Sequence, residues 1–147
     1  RLLGRLILPP GSIAYLDASP IIYSVEEHPV YWHPLQDLWT SLDSGEITVV
    51  TSELSLLETL VVPIRDHNTD LINAYDTLLT GFKVALIPID ISHLREAARL
   101  RALQNLKTPD AIHAATAILA GCTHLITNDP SVRRVEAIEV AVLSDLV

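Results

Sequence analysis

Five short runs, SIAYLDAS, EITVVTS, KVALIPID, THLITND and IEVAVLSDLV, are rich in aliphatic and β-branched residues and are separated by stretches whose apolar residues recur every three or four positions. Strands that read as near-continuous apolar runs are covered on both faces, and strands separated by helices join through crossovers. The chain is therefore expected to be α/β, in three layers, with a mainly parallel central sheet of about five strands. In such sheets ligands sit beyond the carboxyl ends of the strands. The residues that follow each strand are thus the first place to look for chemistry.

The stretches between the strands carry helix signals. Ser19 reads as a cap with Pro20 at the first helical position, and HPLQDLWTSLDSG places Leu35, Leu38, Trp39 and Leu42 at helical spacing before Gly45. Ser52 opens SELSLLETLVVPIRD, which Pro63 should bend or end, and NTDLINAYDTLLTGF closes at Gly81. Asp90 or Ser92 caps ISHLREAARLRALQNL, and Thr108 with Pro109 opens PDAIHAATAILAG. At 147 residues, 49% of them hydrophobic, the chain fits one domain with a sizeable core. The N-terminal RLLGRLILPPG, residues 1–11, is set apart as a loose arm, a short edge strand or a processed segment, which leaves 12–147 as the domain. The sequence contains no methionine, so it does not begin at an initiator.

Charge and cysteine content narrow the function classes. The net charge of −8 excludes a broad basic surface, so any nucleic-acid partner must be met by a local basic rim or by bound cations. The single cysteine, Cys122, excludes an internal disulfide framework and a cysteine-rich zinc site, and fits a reducing, cytoplasmic setting. No apolar run approaches the roughly 20 residues needed to cross a bilayer, so no membrane partner is expected.

The acids fall in a pattern. Asp17 and Asp129 each end a strand run, and Asp110 stands in the first turn of the helix that leads to the strand before Asp129. Glu58 lies among Leu56, Leu57 and Leu60, where an acid is costly unless partnered. Taken singly, each aspartate suits a helix cap or the helix macrodipole, and Asp90 and Glu53 are read that way. Together, acids gathered at one sheet edge require a counter-charge, and Mg²⁺ or Mn²⁺ suits an all-oxygen ligand set. One or two such ions can activate water toward a phosphate, which points to phosphodiester hydrolysis.

With YLDAS at the first strand, TSELSLLETLV around Glu58, TPDAIHAATA around Asp110 and LITND around Asp129, the chain resembles the PIN-domain ribonucleases, especially the VapC-like toxins of bacterial toxin–antitoxin pairs. The resemblance runs from about Ile13 to the C-terminus and implies a PIN-like α/β/α domain. It implies a Mg²⁺- or Mn²⁺-dependent endoribonuclease with Asp17 and Asp110 as central ligands, Glu58 binding directly or through water, and Asp129 completing the site. Ser19, Thr127 and Asn128 match auxiliary positions that orient a carboxylate or a water. It further implies a small cognate antitoxin and pairing of the chain with itself.

Other residues carry weaker signals. His113, one turn beyond Asp110, could hydrogen-bond near the site but reads better as a packed helix histidine, and Trp32 and Trp39 read as core or dimer residues in preference to base-stacking ones. Arg95, Arg99, Arg101, Lys107, Arg133 and Arg134 are candidate phosphate contacts. Pro130 and the acidic balance depart from what a tight nucleic-acid binder would carry. A phosphoacceptor receiver domain would need an adjacent acidic pair after the first strand and a lysine after a late one, and the chain has neither. The remaining alternative is a PIN fold serving as a non-catalytic binding module. An acidic metal site reads phosphates, so RNA and DNA both stay open as substrates.

Overall fold

The computed structural model describes residues 4–147. Five strands, β1 (Ile13–Leu16), β2 (Thr48–Ser52), β3 (Ala85–Ile87), β4 (His124–Thr127) and β5 (Glu139–Val142), form one sheet in the order β3-β2-β1-β4-β5. Every pairing is parallel. The sheet is thus wholly parallel where a mainly parallel one was expected. Six helices cover it: α1 (Ala18–Val25), α2 (Trp32–Asp43), α3 (Glu53–Arg65), α4 (Thr69–Thr80), α5 (Ile91–Gln104) and α6 (Thr108–Leu119). None of them is long and apolar enough to cross a membrane.

Alternation along β1 divides the core into two layers. Ala14 and Leu16 join Leu35, Leu38, Trp39, Tyr75 and Leu79 beneath α1, α2 and α4. Tyr15 points the other way and joins Ala97, Leu100, Ala111, Ala114 and Ala115 of α5 and α6. The small face of α6 lets it pack closely on α5 and on the sheet. Within the arm region, Leu6 and Leu8 are buried in the first layer and Arg5 reaches Asp37, so residues 5–8 pack against the domain without forming a strand.

The strand order positions the site. From β1 the chain builds outward through β2 and β3, then returns to place β4 on the other side of β1. The direction of growth reverses between β1 and β4, the switch point at which an open α/β sheet leaves a crevice beyond its strand ends. Leu16 pairs with Ile126, so the next residues, Asp17 and Thr127, emerge side by side at that crevice.

Several local expectations are corrected by packing. Asp17, not Ser19, holds the cap position of α1, and its carboxylate makes no capping bond because it is engaged across the sheet. Pro63 lies inside α3, close enough to the end that little of the hydrogen-bond ladder is lost, and the helix continues to Arg65. Thr108 is the first residue of α6 and Lys107 occupies its cap. The Thr108 hydroxyl accepts a bond from the Arg101 guanidinium instead of capping. Asp90 does cap α5, in a reciprocal capping box with His93.

Trp39 is a core residue whose indole Nε1–H donates to Ser24 Oγ at 2.8 Å, and Trp32 packs half-buried on the same layer. Removing that acceptor leaves a buried donor without a partner. Ser24→Ala is expected to lower unfolding stability by about 1–3 kcal/mol, read as a shifted urea midpoint with an unchanged slope.

Candidate active site at the sheet switch point

Asp17 is 7% exposed at the carboxyl end of the central strand. One oxygen, Oδ2, accepts the Thr127 hydroxyl at 2.5 Å, while Oδ1 is buried with no hydrogen-bond partner among the described residues. Burial pushes its carboxyl up to about 6, with Asp110 and Glu58 adding to the rise and His113 and Thr127 opposing it. The strand register that places Thr127 beside Asp17 supplies the one donor this acid has.

Asp110 lies in the first turn of α6, half-buried, and Asp129 follows β4 at the start of a short 3-10 turn, Pro130–Arg134. The two carboxyls lie close enough to shift each other. Burial, then Asp129, raises the Asp110 carboxyl, while the backbone and side chain of Ser131 hold Asp129 below its ordinary value. Of the two, Asp110 is the one whose charge burial penalises more. Glu58 projects from α3, and its Oε1 stands 2.6 Å from His113 Nε2. The four acids predicted from the sequence therefore influence one another across β1, α3, α6 and the end of β4.

His113 combines the two roles the sequence offered, packing and a hydrogen bond near the site. It is buried at 3% exposure, as a packed histidine would be, but both ring nitrogens are bonded, Nδ1 to the Tyr15 hydroxyl and Nε2 to Glu58. The available signal was spacing: Tyr15 is two residues from Asp17 on a strand, and His113 is three from Asp110 on a helix, so each shares a face with an acid.

The auxiliary positions divide. Thr127 bonds Asp17 directly. Ser19 sits half-buried in the first turn of α1 and bonds none of the acids among the described residues. Asn128 is turned elsewhere: its amide donates to the Tyr23 hydroxyl and accepts from Ser144 N–H, tying α1 to the C-terminal turn in place of orienting a carboxylate.

Most of the candidate phosphate contacts are engaged within the chain. Arg99 pairs with Glu96, Arg133 with Asp145, Arg101 with the Leu106 carbonyl and Thr108, and Arg134 with the Asn105 carbonyl. Arg95 is exposed on α5. Lys107 precedes α6, and its charge helps to hold the Asp129 carboxyl down. Of the six, Lys107 is thereby linked to the acidic edge.

Among the described residues no three acid, histidine or cysteine side chains enclose a single point where an ion would be gripped. Thr127, His113 and Ser131 each hold an acid in place by a hydrogen bond. The donor set nonetheless fits a hard divalent cation. Asp17, Asp110 and Asp129 offer only oxygen, and the unpartnered Asp17 Oδ1 is a buried acceptor facing no donor. A cavity of about 470 Å³ lies at the opposite end of the sheet, lined by Leu6, Ile7, His124 and Glu139, where β4 and β5 begin. The acids line an open edge, which suits a polymer more than an enclosed small molecule.

The raised Asp17 carboxyl has a stability consequence. Its folded value of about 6 lies above its ordinary 3.8. The penalty for burying the charge is thus complete above pH 6 and is relieved as pH falls toward 4. In chelator at pH 7, Asp17→Asn is expected to stabilise the protein by about 2–3 kcal/mol, with the advantage over wild type disappearing near pH 4. Urea unfolding of both proteins across that range checks it.

The PIN domain family model matches residues 14–138. No curated protein sequence matches the chain. The fold is shared with VapBC2 from Rickettsia felis bound to a DNA fragment from its promoter, at a TM-score of 0.71 and 17% identity over 88% of this chain and 97% of that one. It is shared with a toxin–antitoxin complex from Klebsiella pneumoniae, at a TM-score of 0.61 and 22% identity over 86% and 98%. It is also shared with the Mycobacterium tuberculosis toxin VapC20, which cleaves the Sarcin–Ricin loop, at a TM-score of 0.64 and 16% identity over 76% and 86%. With the family match spanning β1 to the approach of β5 and the acids grouped at the sheet's switch point, the chain belongs to the PIN domain family.

Proposed function

We propose that this protein is a metal-dependent endoribonuclease, the toxin of a toxin–antitoxin pair, acting on RNA in the cytoplasm. The observation that carries the reading is the buried Oδ1 of Asp17 at the switch point, unpartnered among the described residues, with Asp110 and Glu58 close enough to perturb Asp17 and Asp129 close enough to perturb Asp110. Such a carboxylate is a liability in a chain that has no cation to bind. The solved structures that share the fold include toxin–antitoxin complexes and one toxin that cleaves the Sarcin–Ricin loop.

In this reading Asp17, Asp110 and Asp129 hold Mg²⁺ or Mn²⁺, as one or two ions. The bound metal supplies positive charge opposite the scissile phosphate and eases deprotonation of the attacking water. Thr127 keeps Asp17 turned into the crevice by donating to Oδ2. Ser131 fixes Asp129 through its backbone N–H at 2.9 Å. A cation here would offset the burial cost that raises the Asp110 carboxyl. Lys107, with Arg95 farther along α5, meets the flanking phosphates.

The partners in this reading are RNA, a small antitoxin and a second copy of the chain. Leu57, Val61 and Ile64 form an exposed apolar stripe on α3, the helix that carries Glu58, and Ile91 and Leu94 are exposed on α5. Apolar surface beside the acids gives a partner a place to cover them. One observation favours a PIN fold used for binding alone, namely that the acids do not close on a single point in this arrangement.

Turnover decides between the two. Structured and single-stranded RNA, with single-stranded DNA in parallel, are incubated with the partner-free chain in Mn²⁺, Mg²⁺ or chelator. Cleavage is expected only with metal, and Asp110→Asn is expected to lose at least about a hundred-fold in rate with its melting temperature preserved. Full activity in that variant at saturating metal would defeat the reading, and metal-independent binding without cutting would favour the binding module.

A further inference from the structure

Three elements meet around His113. Tyr15 comes from β1, His113 from α6 and Glu58 from α3. The Tyr15 hydroxyl lies 2.6 Å from His113 Nδ1, and the rings meet edge-on with centroids 5.7 Å apart and planes at 63°. On the far side of the imidazole, Nε2 lies 2.6 Å from Glu58 Oε1. The exposure falls inward along this chain of bonds, from 28% for the Glu58 side chain to 3% for His113 and none for Tyr15.

The direction of the bonds follows from the acid end. A carboxylate oxygen accepts, so the ring hydrogen sits on Nε2 and is donated to Glu58. Nδ1 of the neutral ring is then the acceptor, and the Tyr15 hydroxyl donates to it. A histidine that only fills the core is satisfied by any partner. Here one nitrogen is set by a fully buried strand residue and the other ends on an acid of the site, 55 positions away in sequence.

We propose that Tyr15 and His113 are a positioning pair that locks the Glu58 carboxylate, occupying Oε1 and leaving Oε2 to face the acidic edge. Glu58 carries three rotatable side-chain bonds and would otherwise sample solvent at a cost in entropy each time it was recruited. The pair removes that freedom in advance, and it makes Glu58 a fixed acceptor beside Asp17 and Asp110 in place of a mobile ligand. This rests on the reading of the edge as a metal site.

The test is a double-mutant cycle read by Mn²⁺ binding calorimetry on the full chain, with thermal melts in chelator. The variants are His113→Ala, His113→Gln, Tyr15→Phe and Glu58→Ala, each histidine or tyrosine change also being made in the Glu58→Ala background. His113→Ala is expected to weaken Mn²⁺ binding on the order of ten-fold or more, and His113→Gln, which keeps a donor, to recover part of it. Both losses should vanish once Glu58 is gone. Tyr15→Phe should weaken binding less and abolish the single-tautomer imidazole signature in ¹⁵N spectra.

If His113→Ala does not fold, the His113→Gln and Tyr15→Phe cycles carry the same comparison. Losses of equal size with and without Glu58, or no loss in any variant, would make the histidine a packing residue and overturn the proposal while leaving the metal site standing. A wild-type chain that binds no Mn²⁺ would overturn both.

Discussion

The sheet reverses its growth between β1 and β4, and Asp17 is buried at that reversal. Its position is imposed by the backbone: Leu16 pairs with Ile126, so the following residue of each strand must surface at the same spot. An acid placed there is flanked by strands on two sides and covered by helices from both layers, and desolvation becomes the dominant influence on its charge. A single threonine hydroxyl answers one of its oxygens and leaves the other without a partner. A fold optimised for stability alone would place an asparagine or an apolar residue at this point. Under the proposed function, a carboxylate stands there because the position binds a cation.

The surrounding acids follow from the same geometry. The start of α6 brings Asp110 to the crevice, and the turn after β4 brings Asp129 close enough to raise its carboxyl. Glu58 is held by an imidazole. Thr127, His113 and Ser131 hold Asp17, Glu58 and Asp129 separately, and the group does not enclose a point although its members sense one another.

The strand runs, the helix between each pair and the acids that follow strands were all legible because they depend on local pattern and on the rule that parallel sheets bind at their carboxyl ends. Strand order was not legible, since THLITND could pair with any open edge until packing chose β1. The partners of side chains were hidden for the same reason. Tyr15 reads as one more apolar strand residue, and only the approach of α6 gives its hydroxyl an acceptor. Asn128 adjoins Asp129 in sequence, but alternation past the end of β4 turns its amide toward Tyr23 and Ser144. Caps were misassigned by one or two residues where a tertiary bond claimed the side chain, as at Asp17 and Thr108.

The electrostatics complete the argument. A chain of net charge −8 has most of its arginines near the site spent on Glu96, Asp145 or backbone carbonyls. Its capacity to attract a polyanion from a distance is therefore small, and little of its affinity can come from counterion release. Under the proposed function, recognition would then arise at close range, from a cation held among the acids, from Lys107 beside them and from the shape of the crevice, and the exposed apolar stripe on the helix of Glu58 would be the surface over which the proposed partner closes the site.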